Sequence, residues 1–118
     1  MNKKGYRNLI AWQKADKLAV NIYKISMKFP SKYFSLISQM QRAALSVPAN
    51  IVEGYSRKTK QDKARFYNQA YSSLTELEYY IDFVFQLKLY NESIHQILIN
   101  QQTETAKLLT GLYRATLS

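Results

Sequence analysis

Cysteine is absent from the 118-residue chain, and glycine and proline are scarce, with three and two residues. The lack of cysteine excludes a disulfide framework and a thiolate metal site. So few helix breakers predict long, uninterrupted helices. Acidic residues are also few, eight against 17 lysines and arginines, so the formal net charge is +9. No run approaches the roughly 18 consecutive apolar residues of a membrane span, and we expect a soluble, cytoplasmic protein.

Apolar residues recur at intervals of three and four along four segments, which is the spacing of one face of an α-helix. Pro30 should end the first helix, Pro48 should kink or briefly break the second, and Gly54 should cap its end in a left-handed conformation. Short connections then predict one domain over residues 1–118, an all-α, antiparallel, up-down-up-down four-helix bundle. The predicted helices span residues 9–29, 33–55, 60–90 and 92–116.

Two of the predicted helices carry apolar side chains outside their main apolar stripe. At about 100° per residue these side chains point away from the core, and such a second face usually has a neighbour of its own. The pattern predicts a homo-oligomer, although half-exposed tyrosines with hydrated hydroxyls are the simpler alternative. The predicted interface residues are Val20, Tyr23 and Met27 on helix 1 and Tyr79, Phe83 and Tyr90 on helix 3.

Positive charge is concentrated in the first part of the chain. Residues 1–65 contain 14 lysines and arginines and three acids, a net +11, whereas residues 66–118 contain three and five, a net −2. A one-sided positive field attracts polyanions, although solvated charge can also serve solubility alone. We predict nucleic-acid contacts in two places. They are Lys14, Lys17, Lys24 and Lys28 on helix 1, and Arg57, Lys58, Lys60, Lys63 and Arg65 between helices 2 and 3.

Few side chains offer catalytic or metal-binding chemistry. Glu92 and His95 share the spacing of di-iron bundle ligands, but His95 is the only histidine, so we expect a surface histidine and neither metal nor cofactor. Arg42, Glu53 and Glu76 lie in mainly apolar stretches and predict a buried polar link that sets helix register. No Ser–His–acid set, phosphate-binding glycine loop or zinc spacing occurs, so we predict no catalytic residues and a protein that is not an enzyme.

The stretches AWQKADKLAVNIYKISMKFP (Ala11–Pro30) and SQMQRAALSVPANIVEGYSR (Ser38–Arg57) resemble the bacterial "four helix bundle protein" family. That family includes proteins encoded by intervening sequences within large-subunit ribosomal RNA genes. A related branch is the accessory protein of diversity-generating retroelements, which works with a reverse transcriptase, and the residues do not separate the branches. The resemblance covers about residues 9–112. It implies an antiparallel bundle assembled as a basic homopentamer that binds RNA, DNA or a polymerase–RNA complex without catalysis.

The residues and the resemblance together lead to one main hypothesis and two alternatives. The main hypothesis is a non-enzymatic, oligomeric accessory factor that binds RNA or DNA largely independently of sequence, with an RNA or a reverse transcriptase as its context. One alternative is a scaffold whose positive charge attracts an acidic partner protein. The other is association of helix 1 with a membrane surface, which is disfavoured because the apolar face of that helix is needed in the core.

Overall fold

The computed structural model describes residues 5–118. The helices are a 3-10 helix over Gly5–Asn8, α1 (Ile10–Ser26), a 3-10 helix over Ser31–Tyr33, α2 (Phe34–Ser56), α3 (Lys60–Gln86) and α4 (Glu92–Leu117). Each α-helix packs against two others, in the circular order α1, α2, α3, α4. Within the described residues, no close backbone contact crosses the diagonals α1–α3 or α2–α4. The predicted four-helix bundle is confirmed, and its short connections make neighbouring helices antiparallel.

The apolar stripes of the four helices meet at the centre of the bundle. Leu18, Ile22, Ile51, Leu77 and Ile81 are all buried there, at the positions that the three-and-four spacing assigns to the core. Polar residues predominate on the outer side of each helix, although several large apolar side chains remain exposed there. In the range 5–118, no helix combines the length and the apolarity that crossing a bilayer requires.

Side-chain caps set the starts of the last two helices. The hydroxyl of Thr59 accepts a 3.1 Å hydrogen bond from the backbone N–H of Asp62 at the start of α3. The side chain of Asn91 accepts a 2.9 Å hydrogen bond from the backbone N–H of Ile94 at the start of α4. These bonds satisfy backbone donors that have no partner within the helix, so each start is specified locally.

Tyr90 is buried, although we predicted it at an interface. Helix α3 ends at Gln86, several residues before the predicted end, and Lys88 turns the chain with a left-handed φ of 60°. The turn brings Tyr90 under the end of the bundle, where it is 9% exposed and its hydroxyl donates a 2.6 Å hydrogen bond to the Ile81 carbonyl. Burial raises the pKa of Tyr90 above its usual range. Its predicted place on an outer face is therefore wrong.

The structure contradicts the brief break allowed for at Pro48 and the cap predicted at Gly54. The helix runs unbroken through Pro48, which is buried beside Val47 and Ile51, and their packing offsets the missing backbone hydrogen bond. Gly54 lies inside the helix and caps nothing. A Cβ at Gly54 would sit only 2.7 Å from the Tyr67 ring, so the glycine is needed because α3 packs closely against α2 at this point.

The predicted buried polar link is also wrong, because Arg42, Glu53 and Glu76 are all exposed. They flank the apolar stripes, and their long side chains carry the charged groups into solvent. One of the polar contacts between α2 and α3 is instead made by two small residues. The hydroxyl oxygens of Ser46 and Ser73 lie 2.8 Å apart.

Candidate nucleic-acid interface

Exposed lysines line the outer side of α1. Lys17 and Lys24 lie on α1, and Lys28 lies in the turn that follows it. At about 100° per residue, Lys17 and Lys24 fall on the side opposite the buried residues Ala15 and Ile22. Within residues 5–118, no carboxylate lies at ion-pair distance from these three ammonium groups. We call these three residues the α1 lysine row.

Lys14, the fourth residue predicted for this surface, is directed towards α4. Its Nζ lies 3.3 Å from Oε1 of Glu104, and both side chains are partly exposed. Lys14 projects from the flank of α1 that packs beside α4, whereas Lys17 and Lys24 project into solvent. Within the described part of the chain, the predicted row therefore has three cations without a carboxylate partner and one that a carboxylate partly neutralises.

The two arginines predicted at the α2–α3 connection are tied to the protein itself, Arg57 just after α2 and Arg65 in the second turn of α3. Arg57 lies 3.0 Å from Glu53 and 3.7 Å from Asp62, and Arg65 lies 2.7 Å from Asp62. Both guanidinium groups also approach the ring of Phe66, at 4.5 and 4.3 Å from its centroid. One carboxylate and one ring thus hold both arginines, which reduces the charge available to a ligand.

The three lysines predicted at the same connection differ from one another, since Lys58 precedes α3 and the other two lie in its first turn. Lys63 donates a 2.6 Å hydrogen bond to the backbone carbonyl of Tyr55, and Lys60 donates one of 3.2 Å to the backbone oxygen of Ser118. Lys58 is exposed and has no carboxylate partner in the described part of the chain. Of the five cations predicted to assist nucleic-acid binding, Lys58 is thus the one the protein leaves most accessible.

Five of the six residues predicted for an oligomer interface reach the surface, in two separate places. Val20 and Met27 are exposed on α1 and just beyond its end, and Tyr23 is half-buried beside them. Tyr79 is exposed on α3, and its ring centroid lies 5.9 Å from that of the half-buried Phe83. The α1 group borders the α1 lysine row, whereas the α3 group lies on a helix that makes no close backbone contact with α1 within residues 5–118.

His95 is held by its neighbours at the end of the bundle. Its Nε2 lies 2.9 Å from Oδ1 of Asp82, and its ring stacks on Phe85 with the centroids 4.1 Å apart. His95 is half-buried, whereas Glu92 is exposed at the start of α4. No set of three or more metal-ligating side chains converges in the range 5–118.

A groove between α3 and α4 was not predicted from the sequence. Two adjoining cavities of about 250 and 460 Å³ share Tyr71, Thr110 and Arg114 as lining residues. Asn68 and Tyr113 complete the part of the smaller cavity that is open to solvent. Thr110 and Arg114 lie four residues apart on α4, as do Tyr67 and Tyr71 on α3, so each pair lies on one side of its helix. Only the packing of α3 against α4 brings these two sides together.

Comparison with known proteins agrees with the fold. A family model described as 23S rRNA-intervening sequence protein matches residues 7–111. No curated protein matches the chain. One similar solved structure is a protein with unknown function from the S23 ribosomal protein family of Bacteroides thetaiotaomicron, which is 25% identical, with a TM-score of 0.81 over 88% of this chain and 98% of that one. The chain belongs to the 23S rRNA-intervening sequence protein family.

Proposed function

We propose that this protein binds RNA or DNA through the α1 lysine row, without catalysis, as an oligomeric accessory factor of an RNA or a nucleoprotein. The observation that supports the proposal best is the row itself, three exposed cations on one side of the bundle that have no carboxylate partner in the described chain. The family description, which refers to 23S rRNA, favours RNA as the physiological ligand.

Phosphates are the groups that such a row recognises. Lys17 and Lys24 are seven residues apart, which is about 10 Å along a helix, so they can contact separate phosphates of one backbone. Each contact releases condensed counterions, and phosphate contacts carry no direct sequence information. Three contacts predict a slope of about −3 for the logarithm of the binding constant against the logarithm of the salt concentration.

Assembly would multiply this weak surface. We propose a homo-oligomer, and the family resemblance points to a pentamer. The exposed apolar residues Val20, Met27 and Tyr79 support it, as do Phe34 and Leu45 of α2, which were missed from the sequence because they lie outside its main stripe. Repeating the α1 lysine row in one particle raises avidity without any new contact. Light scattering with and without RNA measures the particle mass and its change on binding.

The test compares a cation of the row with a matched cation elsewhere. Lys24→Glu should weaken binding to a labelled duplex about tenfold at low salt and reduce the salt slope by about 1, as measured by fluorescence anisotropy. Arg42→Glu makes the same change of charge on the exposed side of α2 and should leave affinity within about twofold. Lys17→Glu/Lys24→Glu should nearly abolish binding.

Two outcomes would refute the proposal. Equal losses for Lys24→Glu and Arg42→Glu would show that net charge, not the α1 lysine row, attracts the polyanion. A wild-type affinity that does not change between low and moderate salt would exclude phosphate contacts altogether.

A second candidate is a scaffold for an acidic protein, such as an acidic face of a reverse transcriptase. The position of Val20 and Met27 beside the α1 lysine row supports it, because apolar side chains bordered by charges are typical of protein interfaces. Polyglutamate of matched charge distinguishes the candidates. Under the scaffold hypothesis it displaces RNA efficiently, whereas under the proposed function it competes weakly.

A further inference from the structure

The groove between α3 and α4 lies away from the α1 lysine row. It is lined by α3 and α4 alone, and although α4 also packs against α1, none of the lining residues lies on α1. A ligand in this groove would therefore leave the row free. Whatever the groove binds, it constitutes a second and separate surface.

Aromatic side chains border the smaller cavity. Tyr71 is 42% exposed and Tyr113 is 36% exposed, so part of each ring is open to solvent at the rim. Tyr67 lines the same cavity from below and is only 2% exposed, so it cannot stack on a ligand as an exposed ring would. Burial raises the pKa of Tyr67, and its hydroxyl, which is protonated at neutral pH in any case, can donate a hydrogen bond.

Cations and an amide lie beside these rings. Arg114 lines both cavities and Lys107 lines the larger one, and neither forms an ion pair with a carboxylate in the range 5–118. Asn68 adds an amide that can both donate and accept hydrogen bonds. Glu78, at the larger cavity, would repel a phosphate there. An anionic group is thus favoured near Arg114 and disfavoured near Glu78.

We propose that this groove binds an unpaired base of single-stranded nucleic acid, with Tyr71 and Tyr113 against the base and Arg114 and Lys107 near the adjoining phosphates. At about 250 Å³ the smaller cavity lies below the roughly 300–1,000 Å³ of pockets for drug-sized ligands, and it suits one ring system. A single strand uses the rings and the cations together, whereas an acidic peptide uses the cations alone. Duplex bases are paired and stacked, so a duplex is excluded.

This inference goes beyond the proposed function. The α1 lysine row recognises phosphates of single-stranded and double-stranded nucleic acid alike, whereas the groove requires an unpaired base.

The probe is a short single-stranded adenylate oligomer that contains the fluorescent base 2-aminopurine. On binding, stacking should quench its fluorescence. Tyr71→Ala and Tyr113→Ala should each weaken this binding about tenfold. Ile97→Ala removes an exposed apolar side chain of α4 that lies outside the groove, and it should change affinity less than twofold.

Further variants separate the groove from the row. Tyr71→Phe should retain binding because the ring remains, Arg114→Gln should weaken it, and Glu78→Gln should strengthen it severalfold. Quenching should persist at low salt in Lys17→Glu/Lys24→Glu, which tests the groove even if the proposed function of the row fails. Circular dichroism confirms that each variant is folded.

Four results would overturn the inference. Three of them are equal effects of Tyr71→Ala on single strands and duplex, equal effects of Ile97→Ala and Tyr71→Ala, and displacement of the oligomer by polyglutamate at equal charge. The last result would assign the groove to an acidic protein segment. Unchanged affinity in both Tyr71→Ala and Arg114→Gln would leave the groove without a role in binding nucleic acid.

Discussion

The α1 lysine row and the α2–α3 connection are both rich in cations, and the molecule uses these cations differently. The row leaves its ammonium groups in solvent, whereas the connection surrounds Arg57 and Arg65 with Glu53, Asp62 and the ring of Phe66. A count of positive residues therefore does not measure the positive charge that a ligand can reach. What matters is whether a carboxylate stands one helical turn away, as Glu53 does for Arg57 and Asp62 does for Arg65.

The difference has a structural cause. The connection reverses the chain between two helices that pack closely at Gly54, and its charged side chains fasten the end of α2 to the start of α3. The α1 lysine row lies along a helix whose backbone is already satisfied and whose packing is complete on the opposite side. No carboxylate of residues 5–118 pairs with those lysines, which leaves them available for binding.

The largest effect should come from breaking the close approach in the connection. Gly54→Ala would place a Cβ 2.7 Å from the Tyr67 ring and 3.1 Å from the Lys63 carbonyl. We expect it to reduce the free energy of unfolding by about 2–3 kcal/mol, as measured by urea denaturation. Gly111→Ala is the control, because its Cβ meets nothing within 4 Å, and it should stabilise α4 by up to about 1 kcal/mol. Equal stability of both variants would contradict this account.

Two substitutions, one in the α2–α3 connection and one in the α1 lysine row, would test directly whether the first region serves stability and the second serves binding. Arg57→Ala removes the contacts with Glu53, Asp62 and Phe66, and it should cost about 1–2 kcal/mol of stability with little change in affinity for a duplex. Lys24→Ala should do the reverse, changing stability by less than about 0.5 kcal/mol and weakening binding severalfold. Thermal denaturation and anisotropy supply the two readings. If both variants altered the same quantity, the contrast between the two regions would be unfounded.

The smallest effect should come from lengthening the α1 lysine row. Glu104→Gln releases Lys14 from its exposed ion pair, which should change stability by less than about 0.5 kcal/mol. Affinity for a duplex should rise about two- to threefold, and the salt slope should steepen by up to about 1. Glu76→Gln removes the same charge from the exposed side of α3 and should leave the slope unchanged. A slope that steepens equally in both variants would reflect net charge alone.

Much of the fold could be predicted because it depends on local pattern. The apolar spacing placed Leu18, Ile51 and Leu77 in the core, where they lie. The errors fall where a second helix overrides the local signal. Pro48 does not interrupt α2 because packing holds it, and Gly54 serves the approach of α3 rather than the end of its own helix.

In the candidate sites, too, features that follow from local pattern could be predicted and features that depend on a second helix could not. The exposure of Lys17 and Lys24 follows from helix periodicity, and the sequence indicated it correctly. The pairing of Lys14 with Glu104 and the burial of Tyr90 depend on which helix lies beside which, so periodicity could not reveal them. The groove of Tyr71 and Arg114 escaped prediction for the same reason.

By itself, the sequence determined the four helices, their inward faces and the sign and rough location of the charge. These properties repeat every few residues along one chain segment. Tertiary structure alone decided which cations stay free, which aromatic rings reach the surface and where two helices enclose a groove. Those outcomes depend on distances between side chains far apart in sequence, and such distances exist only after the helices have packed.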